Sequence, residues 1–150
     1  MQRRDTFSAI AAALAIGAGT QVHAQTHDHS KMQASGAMGA GPYQGVASAA
    51  ADCIGKAQAC LAHCLVLLGE GDKSMAECAQ TVNQVLALCG ALQSLANQQS
   101  NLTRALARVA LDACQSCEKA CRKHENHHAT CKACAESCER CAKECKALLS

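Results

Sequence analysis

The segment CKACAESCERCAKEC, residues 131–145, places five cysteines in fifteen positions. Their spacing alternates between three and four residues, which puts all of them on one face of an α-helix. A stripe with this period is the face that a helix buries against its neighbours. The segment therefore predicts a helix that directs a column of thiols into a protein core.

Residues 43–150 are typical of four helices joined by short loops. We predict helices over about 43–68, 74–96, 102–124 and 129–149, with Ser74 as the N-cap of the second. Proline interrupts none of them, and short loops between helices of similar length favour antiparallel neighbours. The predicted fold is all-α, an antiparallel up-down-up-down four-helix bundle with a cysteine-lined core.

Every one of the 13 cysteines falls on a stripe of this kind. The stripes are the buried faces of the helices, so the thiols are expected to line the bundle axis. The predicted ligands of this core are Cys53, Cys60, Cys64, Cys78, Cys89, Cys114, Cys117, Cys121, Cys131, Cys134, Cys138, Cys141 and Cys145.

Structural disulfides and simple core filling are two alternative roles for these cysteines. Helical neighbours have Cβ atoms about 5–6 Å apart, whereas a disulfide needs about 3.5–4.5 Å, and the cysteine count is odd. Cross-helix disulfides stay possible under this argument. Core filling is disfavoured because larger aliphatic side chains pack better and free thiols are open to oxidation.

Soft-metal binding accounts for the stripes better than either alternative. A near-linear S–metal–S unit spans about 4.5 Å, which suits thiolates at helical spacing. Thiolates select Cu(I), Zn(II) and iron–sulfur clusters. One Cu(I) per thiolate leaves a buried core neutral, whereas Zn(II) with four thiolates keeps two negative charges. We therefore predict about one Cu(I) per cysteine, with sequestration of Zn or Cd as the alternative function.

Other cysteine chemistries fit the sequence less well. Iron–sulfur ligands lie on loops, often with a following proline, and the CxxC pairs at 114–117, 131–134 and 138–141 lack the histidine of covalent haem. A thiol redox enzyme would show one or two unusually reactive cysteines instead of many equivalent ones. We predict no catalytic residues and a protein that is not an enzyme.

Residues 1–24 have the pattern of a signal peptide that is removed on export. Arg3 and Arg4 precede an apolar run, and the pair suggests the twin-arginine route, although Phe7 lies one residue later than that signal usually places its aromatic. The expected location is the periplasm or an association with internal membranes.

Residues 25–42 are small, polar and glycine-rich, which predicts a flexible tail. Its histidines and methionines are either solvated tail residues or a copper-collecting arm; they are His27, His29, Met32 and Met38. The formal net charge of the whole chain is only +2, so nothing favours nucleic acid as a partner.

In the antiparallel order, one end of the bundle collects imidazole and thioether groups. We call this end the mouth; it holds His63, Met75, His124, His127 and His128. The opposite end collects apolar residues and resembles a plug; these are Leu92, Ala96, Leu106, Leu148 and Leu149. We expect Cu(I) to pass through the mouth.

The chain resembles the copper storage proteins, which are four-helix bundles that fill their core with Cu(I)-binding cysteines. The resemblance covers nearly the whole chain and is carried by the paired-arginine leader, the His/Met tail, CLAHC at 60–64, SMAEC at 74–78 and the two cysteine-dense last helices. It implies Cu(I) storage, a homotetramer and delivery to a copper enzyme such as particulate methane monooxygenase. It also implies His63 and Met75 as ligands at the mouth, while Leu67 stands where such a protein can carry a further methionine.

Overall fold

The computed structural model describes residues 41–150, and all regular structure in that range is helical. The helices are α1 (Gln44–Gly69), α2 (Ala76–Asn97), α3 (Thr103–Arg122) and α4 (Ala129–Leu149), with a short 3-10 helix (Lys73–Met75) before α2. The predicted all-α fold is confirmed. The predicted signal peptide and the tail as far as residue 40 lie outside the described residues.

The four helices form a ring in which each packs against two others. Helix α1 packs against α2 and α4, and α3 packs against the same two helices. Each connection between consecutive helices is only five or six residues long, so consecutive helices run in opposite directions. The structure is the predicted up-down-up-down four-helix bundle.

The connection between α1 and α2 departs from the prediction in one detail. Gly71 has φ +98°, a left-handed conformation that glycine adopts without strain after the end of a helix. The carboxylate of Asp72 then accepts hydrogen bonds from the backbone N–H of Ser74 at 3.0 Å and from its hydroxyl at 2.6 Å. Asp72 therefore caps the short 3-10 helix. The prediction of Ser74 as the N-cap is wrong, because α2 begins after Met75 and the Ser74 hydroxyl donates to Asp72 instead of accepting from a helix amide.

Small side chains build the interior of the bundle. All 13 cysteines are free and buried, and most of the other buried residues are alanines. Within residues 41–150, the largest fully enclosed side chains are those of Met75, Leu92, Val82 and Val85. Because the distance between packed helices depends on the side chains at their contact, small residues allow the helices to approach closely.

Helix α1 is apolar on more than its buried stripe. By length and composition alone it is able to cross a membrane, a property that the core helices of bundles often share. Its cysteines are enclosed by the other helices, yet Leu65 is 57% exposed and Val66 is 59% exposed. The helix thus presents thiols to the core and an apolar surface to the outside.

Candidate metal centre

Thiols from all four helices meet on the bundle axis in overlapping groups. Within each group, the sulfur atoms all lie within 4.8 Å of one another. The groups are Cys60, Cys64, Cys78 and Cys131; Cys60, Cys121 and Cys134; Cys117, Cys134 and Cys138; Cys53, Cys114 and Cys138; and Cys89, Cys114 and Cys141. Of the predicted cysteine ligands, only Cys145 lies outside these groups.

Shared sulfur atoms join the groups into one column. Cys60 belongs to the first two groups, and Cys134 belongs to the second and third. Cys138 joins the third and fourth groups, and Cys114 joins the last two. Thiolate is a ligand for soft ions such as Cu(I), and a shared sulfur can bridge ions in adjacent groups. The column therefore offers a continuous series of binding positions from the mouth toward the opposite end.

The shortest sulfur–sulfur contacts run between different helices. The Sγ atoms of Cys78 and Cys121 are 3.4 Å apart, and those of Cys64 and Cys78 are 3.6 Å apart. A disulfide bond is about 2.05 Å long. These are contacts between free thiols, so the structure contradicts the alternative of a disulfide framework.

The column is not accompanied by a buried charge. Among the described residues, the buried polar side chains are Thr103 and Ser137, whose hydroxyls donate to the carbonyls of Ser100 at 2.7 Å and Cys134 at 2.8 Å. No buried cation is present in residues 41–150 to balance an anionic metal–thiolate centre. An uncompensated charge in a core is costly, so the arrangement favours monovalent ions in equal number to the thiolates.

Hydrogen bonds among the thiols, together with burial, shift their pKa values in both directions. Burial is the main cause that raises the pKa of Cys64 far above its ordinary value. A hydrogen bond with Cys60 lowers the pKa of Cys131, but its contact with Cys78 and burial outweigh this and raise the pKa to about 11. A hydrogen bond with Cys121 lowers the pKa of Cys78. Cys64 and Cys131 therefore keep their protons at neutral pH until a metal ion displaces them.

Imidazole groups from α1 and from the loop before α4 meet at the mouth. The Nε2 atom of His63 lies 2.9 Å from the Nδ1 atom of His128, and their ring centroids are 4.8 Å apart. The ring of His124 lies 6.3 Å from that of His128. His127 is exposed. The mouth therefore brings together three of the imidazoles that the sequence assigned to it.

Two further side chains belong to this end of the bundle. Met75 is fully buried one turn before Cys78 on the adjoining helix. Hydrogen bonds from Ser74, and to a lesser degree the charges of nearby His124 and His128, lower the pKa of Asp72 and keep it a carboxylate. The mouth thus combines nitrogen, thioether and carboxylate groups above the first thiols.

Sequence reasoning missed the pairing of His63 with His128. The sequence places His128 in a loop, and the pairing depends on how the end of α1 meets the start of α4. The sequence does contain one indication that His128 lies near the thiols, because it stands three residues before Cys131. Residues at that spacing lie on the same side of a helix turn, which directs His128 toward the thiol column.

The opposite end is closed by apolar side chains, as the sequence indicated. Leu92 and Ala96 are buried, while Leu106, Leu148 and Leu149 are half-buried. A cavity of about 310 Å³ lies against this layer, and its walls include Arg104, Glu144 and Leu148. On α4, Cys145 falls between the last thiol group and this layer.

Four antiparallel helices around a column of free thiols define a soft-metal-binding bundle. The family model described as copper storage protein matches residues 40–150, which include all four helices. The chain belongs to the copper storage protein family. The resemblance inferred from the cysteine stripes is therefore confirmed.

One solved structure shows the same fold in a relative. It is the copper storage protein Ccsp from Streptomyces lividans, loaded with 10 copper equivalents. The TM-score is 0.66 at 25% sequence identity, and the match covers 71% of this chain and 83% of that chain. No curated protein sequence matches this chain.

Proposed function

We propose that this chain is an exported, non-enzymatic store that holds about one Cu(I) ion per cysteine and later delivers the copper to a copper enzyme. The observation that carries the proposal is the continuous column of overlapping thiol groups, unaccompanied by a buried charge. The family assignment and the copper-loaded relative support the choice of metal. Multiple copper ions are the cargo of this bundle.

All 13 cysteines are proposed as ligands, with His63 and Met75 as ligands at the mouth. The position of His63 above the first thiol group and the burial of Met75 beside it support this assignment. Copper passes through the mouth, because the opposite end is covered by Leu92, Ala96 and their neighbours.

Export, the recipient and the oligomeric state are proposed on other grounds. The paired arginines and the cleavage pattern in residues 1–24 support twin-arginine export to the periplasm or internal membranes. Resemblance to the exported family members supports a homotetramer and a recipient such as particulate methane monooxygenase. The exposed Leu65 and Val66 on α1 provide apolar surface for contacts between copies.

The measurement that tests storage is the amount of metal bound per chain after anaerobic loading of the reduced protein. We expect about a dozen Cu(I) ions per chain to resist competition by a strong Cu(I) chelator. A Zn or Cd store would instead saturate near four Zn(II), with few tightly bound Cu(I) ions. That second result would overturn the copper proposal.

Copper ions that bind at thiols with raised pKa values are also expected to release close to one proton each at pH 7. Cys64 and Cys131 have raised pKa values, so each is protonated in the apo bundle and loses its proton when Cu(I) binds. Below the pKa, the apparent affinity of such a thiol for Cu(I) rises about tenfold per pH unit. Calorimetry in buffers of different ionisation enthalpy counts the protons. Release of less than about half a proton per ion would contradict the assignment of protonated thiols.

Replacing His63 is expected to slow copper uptake more than it reduces capacity. His63→Ala removes one imidazole of the hydrogen-bonded pair at the mouth, while the thiol column below stays complete. We expect Cu(I) loading to slow several-fold, with a loss of at most about one ion per chain. His127→Ala is the matched control, because His127 is an exposed imidazole at the same end of the bundle. Equal loading rates for the two variants would show that the mouth does not guide uptake.

A further inference from the structure

The mouth contains donors that suit a second oxidation state of copper. His63 and His128 present ring nitrogens 2.9 Å apart, His124 lies beside them, and the Asp72 carboxylate belongs to the same end. Nitrogen and oxygen ligands in tetragonal arrangements are typical of Cu(II), whereas Cu(I) prefers the thiolates below. The mouth and the column thus differ in the copper ion that each accepts best.

A pair of thiols directly below the mouth is placed to give up two electrons. Cys64 follows His63 in the sequence, and its sulfur is 3.6 Å from that of Cys78. The sulfur of Cys78 is in turn 3.4 Å from that of Cys121, the shortest thiol contact among the described residues. A short chain of sulfur contacts therefore leads to this pair from Cys64, the residue that follows His63.

We propose that the bundle reduces Cu(II) at its mouth, with Cys78 and Cys121 as the electron donors. This activity goes beyond storage and rests on the proposed function only for the place where the Cu(I) product is kept. Two Cu(II) ions each accept one electron. The two thiols lose their protons to solvent, and one S–S bond forms between Cys78 and Cys121. The products are two Cu(I) ions, one cystine and two protons.

The geometry explains why this pair can react without opening the bundle. The two sulfur atoms, now 3.4 Å apart, need to approach by only about 1.4 Å to reach the length of a disulfide bond. The bond would join α2 to α3, which are already packed against each other. Oxidation therefore requires a change in side-chain position and little movement of the helices.

Oxidation of this pair also leaves free the thiols that join neighbouring groups. Neither Cys78 nor Cys121 is one of the sulfur atoms that join two groups, since each belongs to a single group. After oxidation, the joining thiols remain free; they are Cys60, Cys114, Cys134 and Cys138. The remaining thiols can therefore accept the two Cu(I) ions that the reaction produces.

The first test adds two equivalents of Cu(II) sulfate to the reduced full chain under anaerobic conditions without another reductant. The electron paramagnetic resonance signal measures Cu(II), and alkylation with peptide mass spectrometry locates any cystine. We expect the Cu(II) signal to disappear and one cystine to form for every two copper ions, mainly between Cys78 and Cys121. Persistence of the signal, or cystine spread evenly over the thiols, would overturn the proposal.

Two matched double variants test the choice of thiols. Cys78→Ser/Cys121→Ser removes the proposed donors, and Cys89→Ser/Cys114→Ser removes another α2–α3 pair, whose sulfur atoms are 3.8 Å apart and lie farther from the mouth. We expect at least a tenfold slower loss of the Cu(II) signal in the first variant than in the parent. The second variant loses the same number of ligands from the store and is expected to reduce Cu(II) at least five times faster than the first. Equal rates in the two variants would contradict the assignment. The peptide map of the parent chain gives the answer even where a variant fails to fold.

A parallel loading with Cu(I) separates this inference from the storage proposal. If the chain binds about a dozen Cu(I) ions but leaves Cu(II) unreduced, storage stands and the reductive activity is wrong. If it reduces Cu(II) and forms the Cys78–Cys121 cystine but retains no Cu(I), the reductive activity stands and the storage proposal is wrong.

Discussion

The Cu(I)-loaded bundle is expected to melt at least about 20 °C above the reduced apo bundle. The apo core has few large apolar contacts, since cysteines and alanines fill most of it and Met75 and Leu92 are its largest enclosed side chains. Ligand that binds only the folded state at 100 times its Kd adds about 2.7 kcal/mol per site. Two such sites add about 5 kcal/mol, and about 1 kcal/mol shifts the Tm of a domain this size by roughly 4 °C.

Calorimetry or circular dichroism at matched protein concentration measures this difference. Metal analysis of the same sample shows how much copper each chain carries. Removal of copper with excess Cu(I) chelator under reducing conditions should return the Tm to the apo value. A fully loaded chain that melts within about 3 °C of the apo chain would mean that copper binds outside the core, since ions that link all four helices cannot leave stability unchanged.

The helices could be predicted from the sequence because their cysteines mark the buried stripes directly. A three/four spacing repeated over four segments fixes which face of each helix points inward, and short loops then leave one simple antiparallel arrangement. The caps and ends of the helices could be predicted less accurately. The Asp72 cap and the end of α3 at Arg122 both depend on turns, where several polar groups compete for the same backbone amides.

The composition of the column was predictable, whereas its connectivity was not. The stripes place Cys134 and Cys138 in the core. That each of these two sulfur atoms joins two groups depends on the rotation of the neighbouring helices and on their relative positions along the bundle axis. The same reason explains Cys145, which continues the stripe of α4 and yet lies beyond the last group. The pairing of His63 with His128 depends on a loop conformation that no period in the sequence describes.

Loss of two joining thiols is expected to reduce copper capacity by more than the number of thiols removed. Cys134→Ser/Cys138→Ser takes ligands from three adjacent groups, and it leaves one of them with Cys117 alone. Charge neutrality predicts the loss of one Cu(I) per thiolate, and interruption of the column removes bridged positions as well. We expect this variant to bind about four fewer Cu(I) ions than the parent chain, as counted by metal analysis after anaerobic loading and competition with a chelator.

The matched variant removes two thiols that join nothing. In Cys89→Ser/Cys145→Ser, one residue belongs to a single group and the other to none, so the column from the mouth to Cys114 stays continuous. Only about two ions should be lost, and circular dichroism should show the same helix content in both variants. Equal losses would mean that each thiol binds copper independently of its neighbours. Because both variants lose the same number of buried thiols, a difference in capacity can arise only from the positions of those thiols. Such a difference would show that neighbouring groups share ligands and bind copper as one connected core.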